Sequence, residues 1–311
     1  MNSYRLKAST RNILAYAGRY IFFLAFAYVI LYPFIFIAIN SVKGFSDFYD
    51  PSVQWVPKHF SLANFKVAIQ ALDFWHTLVN TFIYSVLPAL MQFCFCAVYA
   101  YGLARFKFKG KTLLTGVMFL NILVPVMMTI IPTYLNFRYM DFLGIAGLIS
   151  KLIGHDIRPS ILDTPLVFYL PSILGVGLKG GLFIFIYTQF FKGLPKELEE
   201  AAWIDGAGPW KTFLRIIVPS SGSAAVTVLL FSVVWNWNDY FLPQMYLSDN
   251  LPLSVKLANI GHALENFGAG RLNTKSVVLA ACLLFLVPML AFYLVIQKKF
   301  IASIANSGIV G

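Results

Sequence analysis

Residues 194–221 read Leu-Pro-Lys-Glu-Leu-Glu-Glu-Ala-Ala-Trp-Ile-Asp-Gly-Ala-Gly-Pro-Trp-Lys-Thr-Phe-Leu-Arg-Ile-Ile-Val-Pro-Ser-Ser. This is the one long stretch that is both helical in pattern and rich in charge. Pro195 suits a first helical position, and Glu197, Glu199 and Glu200 crowd the first turns, where the helix dipole favours anions. Leu194, Leu198, Ala201, Ala202 and Asp205 follow the helical period and predict one face of small, mostly apolar residues. Gly206 sits where a helix stops. Pro209 opens a second short helix, Pro219 ends it, and Ser220 or Ser221 is placed to cap the next apolar segment. The pattern is helix, Gly-rich bend, helix, set between two very apolar segments. Small residues let another backbone come close, and the carboxylates offer charge-assisted hydrogen bonds. Such a hairpin on a membrane protein is a docking surface.

The rest of the chain is membrane-like. It has 311 residues, 59% hydrophobic and 12% charged, with a mean hydropathy of +0.73. A soluble domain carries about twice that charge fraction. The net charge of +11 does not point to nucleic acid, because the basic residues sit in short clusters beside apolar runs. That placement serves orientation in an anionic membrane. Cys94, Cys96 and Cys282 lie in apolar spans without ligand-like His, so they read as packing residues. Gly110-Lys111-Thr112 imitates the end of a phosphate-binding loop, but the earlier Gly is replaced by Arg105 and nucleotide binding is rejected.

Six spans are expected in an all-α membrane protein. A basic cytoplasmic tail (1–19) precedes the first, 20–39, which contains Pro33. An external loop (40–75) carries a short amphipathic helix at 62–72. A core of five further helices (76–297) comes next, with spans at 76–103, 113–135 (broken by Pro125 and Pro132), 165–191, 223–247 and 276–296. The tail 298–311 is cytoplasmic. Arg105, Lys107, Lys109 and Lys111 form the densest basic cluster. Both termini inside is the arrangement that places the higher basic density in the cytoplasm, and it places the 194–221 hairpin there too.

Two polar features lie at membrane depth. Lys179 falls near the middle of 165–191, where a Lys costs about 2.5–3.5 kcal/mol. It reads as a pathway cation, or as the partner of Asp239, or as snorkelling to the external face. Trp235-Asn236-Trp237-Asn238-Asp239-Tyr240 puts six such residues in a row. On a continuous helix Trp235, Asn238 and Leu242 share one face, and Asn236, Asp239 and Tyr240 another. Aromatic faces stack on sugar rings and Asn and Asp match hydroxyls, so the run suits a polyhydroxylated solute. Interhelical packing is the other reading. The third span carries Asn121.

Glu200-Ala201-Ala202, three residues, Gly206, nine residues, then Ile216-Ile217-Val218-Pro219 resembles the EAA loop of ABC importer permeases, with Val-Pro in place of Leu-Pro. Trp237-Asn238-Asp239-Tyr240 resembles a Trp-Asn-(Glu/Asp)-aromatic run of the maltose-transporter type. The tail from Phe300 to Gly311 keeps the glycine spacing of the second permease of such importers but lacks its penultimate Lys. Leu143-Gly144 and Thr164-Pro165 resemble the two ends of a short turn in that family, with 145–163 inserted.

The resemblance implies a type I ABC importer transmembrane domain: a carbohydrate permease, for an oligosaccharide, in the plasma (inner) membrane of a bacterium. It implies ATPase coupling through Glu197, Glu200, Ala201, Ala202, Asp205 and Gly206. It implies a substrate pathway at Lys179, Trp235, Asn236, Asn238, Asp239, Tyr240 and Asn121, and an ATPase contact at Asn306, Ser307 and Gly308. The implied partners are a second related permease, two ABC ATPase domains that bind ATP and Mg, an extracellular solute-binding protein and the bilayer. No cofactor, metal, catalytic residue or nucleic acid is expected for this chain. Peptide or polyamine import, or ion-coupled secondary transport through Lys179 and Asp239, are the competing readings.

Overall fold

The structure, a computed structural model, describes residues 2–141, 144–265 and 274–307, as backbone only at 2–15, 48–49 and 302–307. The described residues are helical throughout their regular structure. They cluster into two compact units, 1–71 with 260–284, and 72–259 with 285–311.

In the first unit α1 (Asn2–Ser41) runs straight through the expected tail into the first span, with Pro33 inside it. The loop after it is held by side-chain hydrogen bonds. The buried Lys43 ammonium donates to the Val53 and Gln54 carbonyls at 2.9 and 3.0 Å. Asn64 donates to the Ser41 and Lys43 carbonyls. The buried Asp47 carboxylate accepts from the His59 backbone N–H at 2.6 Å. Two short helices flank these contacts, α2 (Phe45–Tyr49) and α3 (Ala63–Leu72).

The second unit begins with α4 (Phe74–Thr81), a wide π turn at Phe82–Val86, and α5 (Leu87–Arg105). Together they make one long apolar span, 74–105. Next come α6 (Lys111–Leu123) and α7 (Val126–Arg138), which meet at an angle of 110°. Pro125 has no N–H to continue the helix, so the expected break falls there; Pro132 stays inside α7. The inserted segment forms α8 (Ile145–Ile153), capped by Asp141, which accepts from the Ala146 and Gly147 N–H groups at 2.9 Å each. Outside the membrane-spanning helices, the forked Arg158 contact holds the Asp156 carboxyl well below the usual carboxylate range.

The expected span 165–191 is two helices, α9 (Leu166–Ile173) and α10 (Gly180–Gly193). Its apolar composition hides a turn built from Gly175, Gly177 and Gly180. The hairpin is formed by α11 (Glu197–Ile204), α12 (Pro209–Thr212), a second π turn at Phe213–Ile217 and α13 (Val218–Ser220). An 82° bend then leads into α14 (Gly222–Asn238). The Ser221 hydroxyl does not cap α14; it donates back to the Val218 carbonyl at 2.7 Å. Two short helices come after it, α15 (Phe241–Tyr246) and α16 (Leu253–Ala258); α17 (Ile260–Glu265) and the first part of α18 (Thr274–Ser307, with Pro288 inside) belong to the first unit. By length and apolarity, three helices among the described residues are long enough to cross a membrane, or five if each bent pair crosses once. Helix length alone therefore does not reach the six spans expected.

The core of this unit is the seam between α5 and α10. Fully buried Ala100, with Ala97, lets Phe183, Ile184 and Tyr187 of α10 come close, and Phe213, Ile217 and Val228 close the cluster. Close approach through small residues is how membrane helices gain packing energy when lipid is as apolar as they are.

Candidate functional site

Interrupting a helix at membrane depth frees backbone polar groups that lipid cannot satisfy. Here α5 supplies the partners for the break between α9 and α10. The Tyr99 hydroxyl donates to the Ile173 carbonyl at 2.8 Å, and the Gln92 amide donates to the Leu178 carbonyl at 2.8 Å. The Cys96 thiol lies 3.7 Å from the Gly180 carbonyl oxygen. From the other side Asn121 of α6 accepts the Gly181 N–H at 2.7 Å. Gln92 is fully buried and its carbonyl oxygen accepts from Asn236 at 3.3 Å. One amide thus ties α5, the break and α14 together.

A cavity of about 600 Å³ opens where these breaks meet. Asn121, Lys179, Asn236 and Asp239 all line it, with Thr129 and Thr133 of α7 and apolar walls from Val167 and Leu242. Four of the seven expected pathway residues are therefore brought together. Lys179 is not mid-helix. It sits in the left-handed region (φ 62°) just before α10, with its ammonium 5.9 Å from the Trp235 ring centre. Asp239 is not its partner. Its carboxylate accepts from the Phe241 and Leu242 N–H groups at 3.1 and 3.3 Å and so starts α15.

The other three residues need correction. The run 235–240 is not one continuous helix, because α14 ends at Asn238 and Asp239 is extended. Trp235 and Asn238 still share a side of α14, but Leu242 does not continue that face and the face of Asn236, Asp239 and Tyr240 is lost at the break. Trp235 packs between Phe183 and Phe231 beside the cavity, while Asn238 and Tyr240 are exposed outside its lining. The Asn238 amide donates to the Val234 carbonyl at 2.8 Å.

The hairpin bends at Gly206 and restarts at Pro209 as expected, but α11 begins at Glu197, two residues after Pro195, and Pro219 lies inside α13 instead of ending the second helix. Gly206 has φ +77°. The Ala207 N–H bonds to the Ala202 carbonyl at 2.9 Å and the Gly206 N–H to the Trp203 carbonyl at 3.0 Å, a Schellman closure. Of the small-residue face, Ala202 is buried, while Leu198, Ala201 and Asp205 are exposed and open to a partner, as are Glu197, Glu200 and Gly206. The buried carboxylate is Glu199, which the coupling set missed. Its Oε2 lies 3.0 Å from Arg105 Nε, with side-chain exposures of 4% and 7%. Arg105 also donates to the Leu194 carbonyl at 2.8 Å. The signal was the three-residue spacing from Glu199 to Ala202, which puts both on one side of a helix.

The exposed hairpin also carries large apolar residues: Trp203 at 49% and Ile204 at 87% on α11, and Trp210 and Leu214 in the segment that follows. Asn306 and Ser307 continue the backbone of α18, and Gly308 lies outside the described residues.

Broken membrane helices around a part-polar cavity, with a helical hairpin fixed to their core, define the transmembrane subunit of a transport system. Residues 94–305 match the family described as binding-protein-dependent transport system inner membrane component, and the chain belongs to that family. It is 29% identical over 281 residues to the melibiose/raffinose/stachyose import permease MelC of Bacillus subtilis, covering 90% of this chain and 91% of that one. It is 27% identical over 276 residues to the probable starch degradation products permease AmyC of Thermoanaerobacterium thermosulfurigenes, covering 88% and 89%. A chain from the crystal structure of a bacterial ABC transporter involved in alginate import has the same fold, at a TM-score of 0.73 and 22% identity, covering 91% of this chain and 95% of that chain.

Proposed function

We propose that this chain passes a carbohydrate, an oligosaccharide, across the plasma membrane, driven by ATPase subunits that grip its hairpin in the cytoplasm. The observation that carries the solute class is the cavity where Asn121, Asn236, Asp239 and Lys179 converge beside Trp235. Amides and a carboxylate recognise hydroxyl groups, and the aromatic wall suits a sugar ring. Relatives named for raffinose-type and starch-derived sugars support the same class.

The chain performs no chemistry of its own in this reading. ATP and Mg are bound by two partner ATPase domains, a second related permease completes the pathway, and an extracellular binding protein delivers solute. Both termini are cytoplasmic. Glu197, Glu200 and Asp205 give the hairpin its charged rim, and Trp203 and Ile204 its apolar contact. Closure of the ATPases pushes this surface, and the bundle switches access to the cavity. Asn306, Ser307 and Gly308 add a contact at the same interface.

The test is uptake of labelled oligosaccharide by the reconstituted assembly. ATP-dependent sugar uptake is expected; uptake of peptide or polyamine without sugar would overturn the solute class, and gradient-driven transport by the chain alone would overturn the mechanism. Within that assay Asp239→Asn keeps an oxygen for the α15 cap and isolates the charge. It is expected to raise KM, while Asp239→Leu loses cap and ligand and lowers kcat/KM by about tenfold more. For the hairpin, Trp203→Ala with Ile204→Ala is expected to cut ATPase co-purification by about tenfold, since buried aromatic anchors dominate interfaces.

A further inference from the structure

We propose that Arg105 is a positioning residue for coupling: it fastens the hairpin to α5, so that α5 transmits hairpin movement to the solute cavity. This rests on the reading of the hairpin as the surface gripped by the ATPases.

Three helix ends meet at this guanidinium. Arg105 is the last residue of α5, Leu194 is the residue that ends α10, and Glu199 is in the first turns of α11. Arg105 donates to the Leu194 carbonyl at 2.8 Å and its Nε lies 3.0 Å from Glu199 Oε2. Each charge also opposes the partial charge of its own helix end, cation at the C-terminus of α5 and anion at the N-terminus of α11. The buried Tyr101 hydroxyl borders the same carboxylate.

The burial is what makes the contact mechanical. Separating two ions that are both out of water leaves each desolvated and alone, which is far more costly than stretching an exposed pair. Hairpin and α5 therefore move together. Lys cannot substitute fully, because one ammonium lacks the planar fork that reaches a carbonyl and a carboxylate at once.

The other end of the linkage is Gln92. It lies 13 residues before Arg105 on the same helix, about 20 Å away at 1.5 Å per residue. There it holds the Leu178 carbonyl and the Asn236 amide, both on segments that line the cavity. One helix thus grips the hairpin at one end and the cavity wall at the other.

The experiment measures solute transported per ATP hydrolysed by the complete assembly in nanodiscs, with the amount of assembled complex measured separately. Glu199→Gln, near-isosteric and neutral, is expected to assemble and hydrolyse ATP while this ratio falls about tenfold. Arg105→Lys is expected to lose part of the ratio, and the exchange Arg105→Glu with Glu199→Arg to recover part of it. An unchanged ratio per assembled complex in Glu199→Gln and Arg105→Lys overturns the proposal, whatever happens to yield. If Glu199→Gln does not assemble, Arg105→Lys alone decides by the same ratio. Failure of the underlying reading looks different: the ATPases would co-purify normally with a complex whose exposed hairpin face, Trp203 and Ile204, had been removed.

Discussion

Gly206→Val is expected to lower coupled uptake by about fivefold to thirtyfold, and Gly206→Asn to leave most of it. Gly206 has φ +77°, and a Cβ placed there meets nothing within 4 Å. The penalty is therefore one of backbone conformation and not of space. A left-handed β-branched residue costs about 1–2 kcal/mol or more, whereas Asn tolerates the region. The α11 helix is short, Glu197–Ile204, and an isolated helix of that length has little stability to spare. Loss of the two backbone bonds from Gly206 and Ala207 frees its last carbonyls and redirects the chain into α12. The surface carrying Trp203 and Ile204 then no longer has a fixed direction. Each 1.4 kcal/mol is a factor of ten, which sets the range. Gly208, with φ −74° and equally open surroundings, is the control: Gly208→Ala is expected to transport normally. Uptake and ATPase co-purification measured together check the result, and a Val variant equal to the Asn variant would remove the backbone argument.

The hairpin's bend was legible because Gly206 and Pro209 act through backbone geometry, which a single sequence carries in full. Which carboxylate turns inward was not. Glu197, Glu199 and Glu200 are nearly equivalent in a helical count. Arg105 is what selects Glu199, and the two are far apart in the chain. The breaks at 124–125 and 174–179 show a similar division. Pro125 announced the first. The second was masked because Val176 and Leu178 keep the stretch apolar, although four glycines, Gly175, Gly177, Gly180 and Gly181, mark it. The polar residues at 235–240 were found by composition, but their faces were assigned on a helix that stops at Asn238. Which of them meet the cavity depends on that stop, and so on the Asp239 cap.

Gly180→Ala should be the most damaging single-methyl change in the turn beside the cavity. A Cβ at Gly180 would lie 2.4 Å from the Gly175 carbonyl oxygen and 2.9 Å from its carbon. Both belong to backbone, so no side-chain rotation relieves the contact. Ala gains about 1 kcal/mol over Gly in helix propensity, but overpacking costs about 1–3 kcal/mol even where side chains can yield. The clash therefore wins, and α10 must draw away from the turn that Gln92 and Cys96 hold. Gly177, Leu178 and Lys179 shift with it, and the cavity changes shape. Gly177→Ala is milder: its Cβ would meet Gln92 Nε2 and Ser172 Oγ at 3.1 Å and Ser172 Cα at 3.2 Å, contacts that a shift of a few tenths of an ångström relieves. Gly102→Ala, on α5 with nothing within 4 Å, should be neutral or slightly stabilising. The expected order of damage, Gly180 over Gly177 over Gly102, is read from the thermal stability of the purified assembly and from KM for the transported sugar. If Gly180→Ala matched Gly102→Ala in both, the close approach of α10 to the 175 turn would not be what shapes the cavity.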